Sequence, residues 1–258
     1  GEASAQEAFT GRIGAPSPES GRAALAALNA AIVLVQQGQA DALVTAPISK
    51  QALALAGSAE LGHTEILART LGMGPVAMAF FSERLRVVLA THHLALKRVA
   101  ETLRAPRIVE VAALLRDALR MLFGAPAPRL ALAAFNPHAG DAGLFGDEET
   151  RILAPAAREA RALGIDLSDP QPADSVFRRA RDGEFDGVVA LYHDQGLIPI
   201  KLSAVGEAVH ATLGLRVPRT SPDHGTAYDR AGTGTARPQA MVAAIELAAG
   251  CATRATPR

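Results

Sequence analysis

The sequence is poor in several residue types, and each shortage excludes a class of protein. Its one cysteine, Cys251, cannot form an intramolecular disulfide framework or a cysteine-rich metal site. Basic and acidic residues number 26 each, so the net charge is zero and no basic footprint for nucleic acid or a membrane surface is expected. The apolar runs are too short to span a bilayer, and no signal peptide is recognisable. We therefore expect an intracellular, cytoplasmic enzyme.

Lysine is also scarce, because only three of the 26 basic residues are lysine: Lys50, Lys97 and Lys201. A chain that otherwise uses arginine can keep lysine where it needs a compact ammonium group rather than a planar fork. The seven histidines all lie between His63 and His224. Imidazole is a common metal ligand and acid–base group, so this distribution makes the histidines the first candidates for a site.

Alternating helical and strand patterns fill the rest of the 258 residues, which are enough for one or two domains. Periodicity predicts helices at about 21–37 (capped by Ser20), 47–56, 64–72, 95–103, 106–123, 147–163, 173–181 and 237–250. It predicts strands within 41–47, 76–82, 85–93, 129–140, 187–192 and 208–214. Several of these strands are uniformly apolar, which favours an α/β fold with a largely parallel sheet.

Three apolar strands run directly into a histidine: at His92 and His93, at His138, and at His193. Ligands of open α/β sheets bind outside the carboxyl ends of the strands, so these side chains can converge there. Three imidazoles with open positions describe a catalytic metal site. The alternative is that each histidine caps a turn or bonds a backbone carbonyl. Asp194 could ligate, orient its neighbouring histidine, or cap the loop.

Two further segments carry chemical content. In "GHTE", Thr64 is either an N-cap or a substrate contact, and His63 could donate to a substrate. The segment "RTSPDHGTAYDRAGTG", residues 219–234, is rich in glycine, threonine and aspartate, so its N–H groups could line an anion or a nucleotide. No GxGxxG fingerprint, P-loop or GxSxG elbow is present.

Seven motifs together are specific enough to indicate a family. "TAPISK", "GHTE", "ATHHLAL", "NPHAGDAGLFGDEE", "PADSVF", "YHDQGLIPIK" and "RTSPDHGTAYDRAGTG" occur in this order. Over about residues 12–250 the chain resembles the 4-hydroxythreonine-4-phosphate dehydrogenase (PdxA) family of vitamin B6 biosynthesis, without that family's N-terminal segment. The resemblance implies a two-lobed α/β/α fold like that of isocitrate and isopropylmalate dehydrogenases, with the active site in the cleft. One lobe would consist of residues 1–65 and 222–258, and the cofactor loop would lie where the chain returns to this lobe. The other lobe would consist of residues 66–221.

The resemblance also implies a reaction. The enzyme would oxidise 4-phosphohydroxy-L-threonine with NAD (or NADP), and the product would lose CO2 to give 3-amino-2-oxopropyl phosphate. One divalent metal ion per site (Zn, Mg, Co or Mn) would bind the reacting oxygen and lower its pKa. One of the three metal ligands would come from the partner subunit of a homodimer. No nucleic acid or membrane partner is expected.

The resemblance assigns roles residue by residue. The metal ligands would be His93, His138 and His193, with His93 preferred because the family more often has a small polar residue at position 92. The substrate would be bound by His63, Thr64, Lys201, His210 and Arg219, and the catalytic residues would be Lys50, Asp174 and Asp194. The cofactor would be bound by His224, Gly225, Thr226 and Ala227. The simpler alternatives are a surface ion pair for Arg219 and an exposed strand-end amine for Lys201.

One departure from the family bears on the substrate. His210 stands where the family usually has asparagine, and a histidine there is larger and can be charged. A related dehydrogenase of another 4-phosphorylated hydroxy acid or of a dihydrodiol therefore remains an alternative. Two other classes also remain: a metal-dependent hydrolase or aldolase without nicotinamide, and an inactive metal-binding fragment.

Overall fold

A computed structural model describes residues 13–60, 62–204 and 206–255, in which helices alternate with the strands of one sheet. The helices are α1 (Pro18–Gln36), α2 (Lys50–Leu55), α3 (His63–Leu71), α4 (Val99–Thr102), α5 (Ala105–Phe123), α6 (Ala154–Ala162), α7 (Ala173–Arg181), α8 (His193–Ser203) and α9 (Gln239–Ala255). The strands are β1 (Leu43–Val44), β2 (Gly72–Phe81), β3 (Arg86–Leu89), β4 (Leu130–Ala133), β5 (Leu167–Gln171), β6 (Gly187–Ala190), β7 (Val209–Leu215) and β8 (Arg219–Pro222). Short 3-10 turns cover Leu96–Arg98, Pro137–Gly143 and Tyr228–Arg230, and a π-helical turn covers Glu149–Leu153.

The eight strands lie in the order β1-β8-β7-β2-β3-β6-β4-β5. Strands β3, β6, β4 and β5 are parallel neighbours, so their carboxyl ends share one edge of the sheet. Strand β2 runs antiparallel to β3 and β7, and β7 runs antiparallel to β8. The expected α/β class is confirmed, but the sheet is mixed rather than largely parallel. The two-lobe division stays a prediction, and its residues 1–12, 61, 205 and 256–258 lie outside the described residues.

Both faces of the sheet are covered by helices. Helices α5, α6 and α9 pack on one face through Leu115, Ala157 and Cys251, respectively. Helices α7 and α8 pack on the other through Phe177 and Ile200. Within the described residues, none of the helices combines the length and apolar character that crossing a bilayer requires. The result is a three-layer α/β/α arrangement in which strand ends and loops remain available for a site.

The first helix begins earlier than the sequence pattern predicted. Ser17 is its N-cap: its hydroxyl accepts a hydrogen bond from the Ser20 N–H at 3.1 Å, and the Ser20 hydroxyl accepts one from the Ser17 N–H at 3.0 Å. This reciprocal pair satisfies two donors at the helix start, and Pro18 occupies the first turn, where its missing N–H is not needed. Ser20 therefore completes the cap rather than forming it alone.

Three elements were not predicted from the sequence. Helix α8 starts at His193 and accommodates Pro199, in a stretch that looked like the end of a strand. Strand β8 has the polar sequence RTSP, yet all four of its residues are buried. Strand β5 contains Pro170, and this proline is tolerated because β5 is an edge strand. In each case tertiary neighbours override a local pattern that is weak or misleading.

Candidate functional site

The antiparallel half of the sheet carries a polar cluster on one face. The strand register pairs Phe80 with His210, His210 with Ser221, and Thr212 with Arg219. Because side chains two residues apart share a face, His210 and Thr212 of β7 stand beside Arg219 and Ser221 of β8. This face is the one covered by α7 and α8 farther along the sheet. The cluster therefore lies on a sheet face, and not only outside the carboxyl ends of parallel strands.

A cleft of about 180 Å³ opens over this cluster. The amino ends of α2 and α3 and the loop that follows β3 form its other walls. Among the predicted site residues, the cleft is lined by Lys50, His63, Thr64, His93, His210, Arg219, His224 and Gly225. Residues from five separate parts of the chain thus meet, which supports a binding site more strongly than any one motif.

Arg219 is buried at the base of this cleft, with 2% of its surface exposed. Its guanidinium donates to the hydroxyl of Thr45 at 2.6 Å and to that of Thr212 at 3.1 Å. No salt bridge to a carboxylate is found for it among the described residues, and its buried Nε has no partner. Burial lowers the pKa of Arg219 to about 10. A buried cation without a counter-ion is costly, so this position is suited to an anionic ligand.

His210 is held in one tautomer by this arginine. Its Nδ1 lies 3.3 Å from the Arg219 Nη1, which can only donate, so Nδ1 accepts and the ring proton is assigned to Nε2. Burial, followed by the charge of Arg219, lowers the pKa of His210 to about 3. The ring stacks on Phe80 with centroids 5.0 Å apart, and its buried Nε2 has no hydrogen-bond partner. His63 is similar: burial and Arg219 lower its pKa to about 4. Both imidazoles are therefore neutral at pH 7.

His93 and His193 lie side by side at the carboxyl edge of the parallel strands. Their ring centroids are 5.8 Å apart. The Nδ1 of His193 lies 2.7 Å from the Asp194 carboxylate, and donation to that carboxylate would leave Nε2 free to bind a metal ion. The pKa of His93 is lowered by burial, and further by Lys50 and His193, which favours the neutral ligand form. This donor set suits two positions of a divalent transition-metal site.

The third predicted ligand is not brought to this pair within one chain. In the described residues, no group of three or more His, Cys, Asp or Glu side chains is arranged to hold a metal ion. His138 lies in a segment where five successive residues, 138–142, have left-handed backbone angles. Such a backbone costs a non-glycine residue about 1–2 kcal/mol, so other contacts must stabilise it. The described residues of one chain therefore bring together His93 and His193 but not His138.

The polar cluster that follows β6 is satisfied by a residue that sequence reasoning missed. The side-chain carbonyl of Gln195 accepts from the Leu191 N–H, and its amide donates to the Ala134 carbonyl, each at 2.7 Å. Gln195 thereby joins the ends of β6 and β4. Thr91 does the same between β3 and β6, because its hydroxyl donates to the Leu191 carbonyl. The only signal in the sequence was the position of this glutamine between two apolar runs.

Several predicted site residues lie outside the cleft. Lys201 contacts both carboxylate oxygens of Asp223 at 3.1 Å, and burial raises the pKa of Asp223 although Lys201 opposes the shift. Asp174 and Asp194 line another cleft of about 540 Å³ between α7 and α8. Thr226 and Ala227 follow Gly225 in a mostly exposed loop, where Ala227 has a φ of 47°.

Comparison with known proteins identifies the family of this chain. The family described as "Pyridoxal phosphate biosynthetic protein PdxA" matches residues 2–248. The chain belongs to this family. A protein of Desulfosudis oleivorans named 4-hydroxythreonine-4-phosphate dehydrogenase is 48% identical over 236 residues, covering 91% of this chain and 70% of that protein. The family predicted from the motifs is therefore confirmed.

Two other PdxA relatives extend the comparison. The D-threonate 4-phosphate dehydrogenase of Salmonella typhimurium is 44% identical over 230 residues, covering 89% of this chain and 70% of its own length. A solved structure of 4-hydroxythreonine-4-phosphate dehydrogenase from Klebsiella pneumoniae has a TM-score of 0.85 and 44% identity, covering 94% of this chain and 74% of that one. These relatives are all named dehydrogenases, and the prediction of a PdxA-type dehydrogenase is confirmed.

Proposed function

We propose that this chain oxidises 4-phosphohydroxy-L-threonine with NAD, in the biosynthesis of pyridoxal 5'-phosphate. The alcohol carbon loses a hydride to NAD and its hydroxyl loses a proton. The resulting β-keto acid releases CO2 and leaves 3-amino-2-oxopropyl phosphate. The observation that carries the proposal is the buried Arg219, which has no carboxylate partner among the described residues and lies beneath a cleft that His93 also lines. The names of the most similar relatives support the substrate.

The residues of the cleft suit a small phosphorylated acid. Arg219 would bind the phosphate or carboxylate through charge-assisted hydrogen bonds. The first turn of α3 contributes His63 and Thr64 to the cleft. Because the N-cap residue is Gly62, no side chain caps the backbone N–H groups of this turn, and these groups favour an anion. Lys50 begins α2 on the opposite wall and would act as an acid–base or anion-binding group. Neutral His63 and His210 can then form hydrogen bonds without changing charge at pH 7.

A divalent metal ion would be held by His93 and His193 of one chain and by His138 of a second. The donor chemistry fits, because burial favours the neutral form of His93 and the Nδ1 of His193 lies against the Asp194 carboxylate. When bound, the ion would polarise the reacting oxygen of the substrate. Asp194 would orient His193, while Asp174 and Lys201 would act near the substrate from the neighbouring subsite. Zn, Mg, Co or Mn are the candidates.

A homodimer is proposed for two independent reasons. The metal site needs a third imidazole, and large apolar side chains are exposed within about nine residues after each of the three histidines. These side chains are Leu94 and Leu96, Leu144 and Phe145, and Ile198 and Leu202, exposed by 45–77%. Burying them against a second copy would complete the site and remove apolar surface from water.

NAD is proposed to bind along the loop that contains His224, Gly225, Thr226 and Ala227. The first two residues line the cleft, so a nicotinamide bound there would face the substrate. The loop continues away from the cleft with exposed side chains. It would lie where the chain returns to the proposed first lobe. A cytoplasmic location is retained as part of the proposal.

The test is the formation of NADH, followed by absorbance, with 4-phosphohydroxy-L-threonine and each divalent metal in turn. Metal-dependent NADH formation is expected. D-threonate 4-phosphate is the second substrate to test, because His210 replaces the family's usual asparagine beside Arg219. Faster turnover of that compound would assign the chain to the second activity. Bound metal without NADH from either substrate would reject both and favour a hydrolase, an aldolase or an inactive protein.

A further inference from the structure

Glu149 is a buried acid at the end of the NPHAGDAGLFGDEE motif, and the proposed mechanism does not use it. Its side chain is almost fully buried, with 7% of its surface exposed. One carboxylate oxygen accepts from the backbone N–H groups of Phe135 and Asn136, at 2.9 and 2.7 Å. The other accepts from the side-chain amide of Asn136 at 2.9 Å. One carboxylate thus binds the chain at the point where it leaves β4.

The segment that follows this anchor carries His138. Its left-handed run, residues 138–142, begins two residues after Asn136. Glu149 also lies against the middle of the run, because a Cβ added to Gly140 would come within 2.8 Å of its carboxylate oxygen. The side chain of His138 forms no hydrogen bond within the described residues, and its nearest ring contact is Phe145, with centroids 6.2 Å apart. Because no hydrogen bond of its own holds the imidazole in the described residues, its position depends on the backbone segment that follows the Glu149 anchor.

The amide of Asn136 makes this arrangement directional. It donates to Glu148 at 2.8 Å as well as to Glu149. Rotating the amide would turn its oxygen toward both carboxylates, so the orientation with the nitrogen inward is enforced. Charge-assisted bonds of this kind are stronger than neutral ones. The contacts form a rigid connection between the start of the π-helical turn at Glu149 and the exit of β4.

We propose that Glu149 is a positioning residue that presents His138 to the metal ion of a second chain. The proposal rests on the proposed function, because it takes His138 as a metal ligand. Glu149 itself touches neither metal nor substrate. Its carboxylate stabilises the left-handed segment and so places the imidazole before the metal binds. Outer residues that orient a metal ligand contribute typically about 10- to 100-fold in metal affinity.

The test compares Glu149→Gln with Asp147→Asn in the full chain. The first variant keeps an oxygen for the two backbone N–H groups but turns an amide nitrogen toward the Asn136 amide, so two donors face each other. The control removes the same charge from an exposed neighbour whose carboxylate pairs with Arg151 and not with Asn136. Glu149→Asp keeps the charge but shortens the reach, and it serves if the glutamine variant does not fold. Zn²⁺ affinity is measured by titration, and backbone order by amide hydrogen exchange.

The glutamine and aspartate variants at position 149 are expected to bind Zn²⁺ about 10- to 100-fold more weakly. Amide exchange should rise over residues 134–146 and stay unchanged in β3 and β6. Asp147→Asn should stay close to the wild type in both readouts. Unchanged Zn²⁺ affinity at position 149 would overturn the proposal, as would faster exchange throughout the fold, which would make Glu149 an ordinary stability residue.

A His138→Ala variant separates this proposal from the proposed function. If His138→Ala weakens Zn²⁺ binding and Glu149→Gln does not, the positioning role fails and the metal ligands stand. If His138→Ala leaves Zn²⁺ binding unchanged, the metal assignment of the proposed function fails. The exchange of residues 134–146 then still shows whether Glu149 holds the segment.

Discussion

Replacing Arg219 with methionine should separate binding from stability. Methionine has a similar length, and the substitution removes a cation that is 2% exposed and has no carboxylate partner in the described residues. Burial lowers the pKa of Arg219 to about 10, which corresponds to about 3 kcal/mol against the charged form in the fold. The folded state therefore gains when this charge is removed.

Lost hydrogen bonds act in the opposite direction. Thr45, Thr212 and the Nδ1 of His210 each lose a donor, and an unpaired buried polar group costs about 1–3 kcal/mol. Ser221 can still donate to the Nδ1 of His210, so two losses of about 1–3 kcal/mol each act against a gain of about 3 kcal/mol, and we expect the free energy of unfolding to fall by no more than about 3 kcal/mol. A substrate anion, in contrast, loses a bond to a charged group worth about 1.5–3 kcal/mol, so its KM should rise about 10- to 150-fold.

Urea unfolding of the metal-free protein and steady-state kinetics measure these two quantities. Arg216→Met is the control, because Arg216 is exposed and lies on the turn just before β8. Neither quantity should change in the control. An unfolding free energy lowered by more than about 3 kcal/mol with an unchanged KM would refute the reasoning and make Arg219 a structural residue.

Three further predictions address the histidines. Mixing His138→Ala with His193→Ala chains should restore Zn²⁺ binding to about a quarter of the wild-type stoichiometry, since half of the dimers are mixed and each has one intact site; no restoration would contradict a shared site. Asp194→Asn should weaken Zn²⁺ binding about 10-fold in a titration, because a neutral amide orients His193 less strongly; equal affinity would remove Asp194 from the site. The native pKa values of His63 and His210, about 4 and about 3, lie below the unfolded value of 6.5. Between pH 6.5 and 4 the unfolded chain therefore binds more protons, so the urea midpoint should fall as the pH falls, and less steeply in His63→Gln; parallel curves for the two proteins would contradict this.

Some of the architecture follows from local sequence. Helix α5 and strands β4 and β6 are long or uniformly apolar, so their periodicity predicts them without knowledge of their neighbours. Strand β8 and helix α8 do not follow in this way. The polar residues of β8 are buried because β1 and β7 flank them, and α8 contains a proline that argues against a helix.

The sequence by itself determined the family, because motifs such as "NPHAG" and "YHDQG" are short contiguous strings that can be recognised without knowledge of the fold. It also nominated the histidines, because each follows an apolar strand. Only the tertiary structure decided which of them meet. Arg219 bonds to Thr45 across 174 positions of sequence, and His93 meets His193 because β3 and β6 are neighbours. His138 follows β4, one strand farther away, on a left-handed segment. Strand order depends on packing over the whole chain, so no local pattern could show which of these imidazoles lie side by side, and only the family resemblance implied a ligand from a second chain.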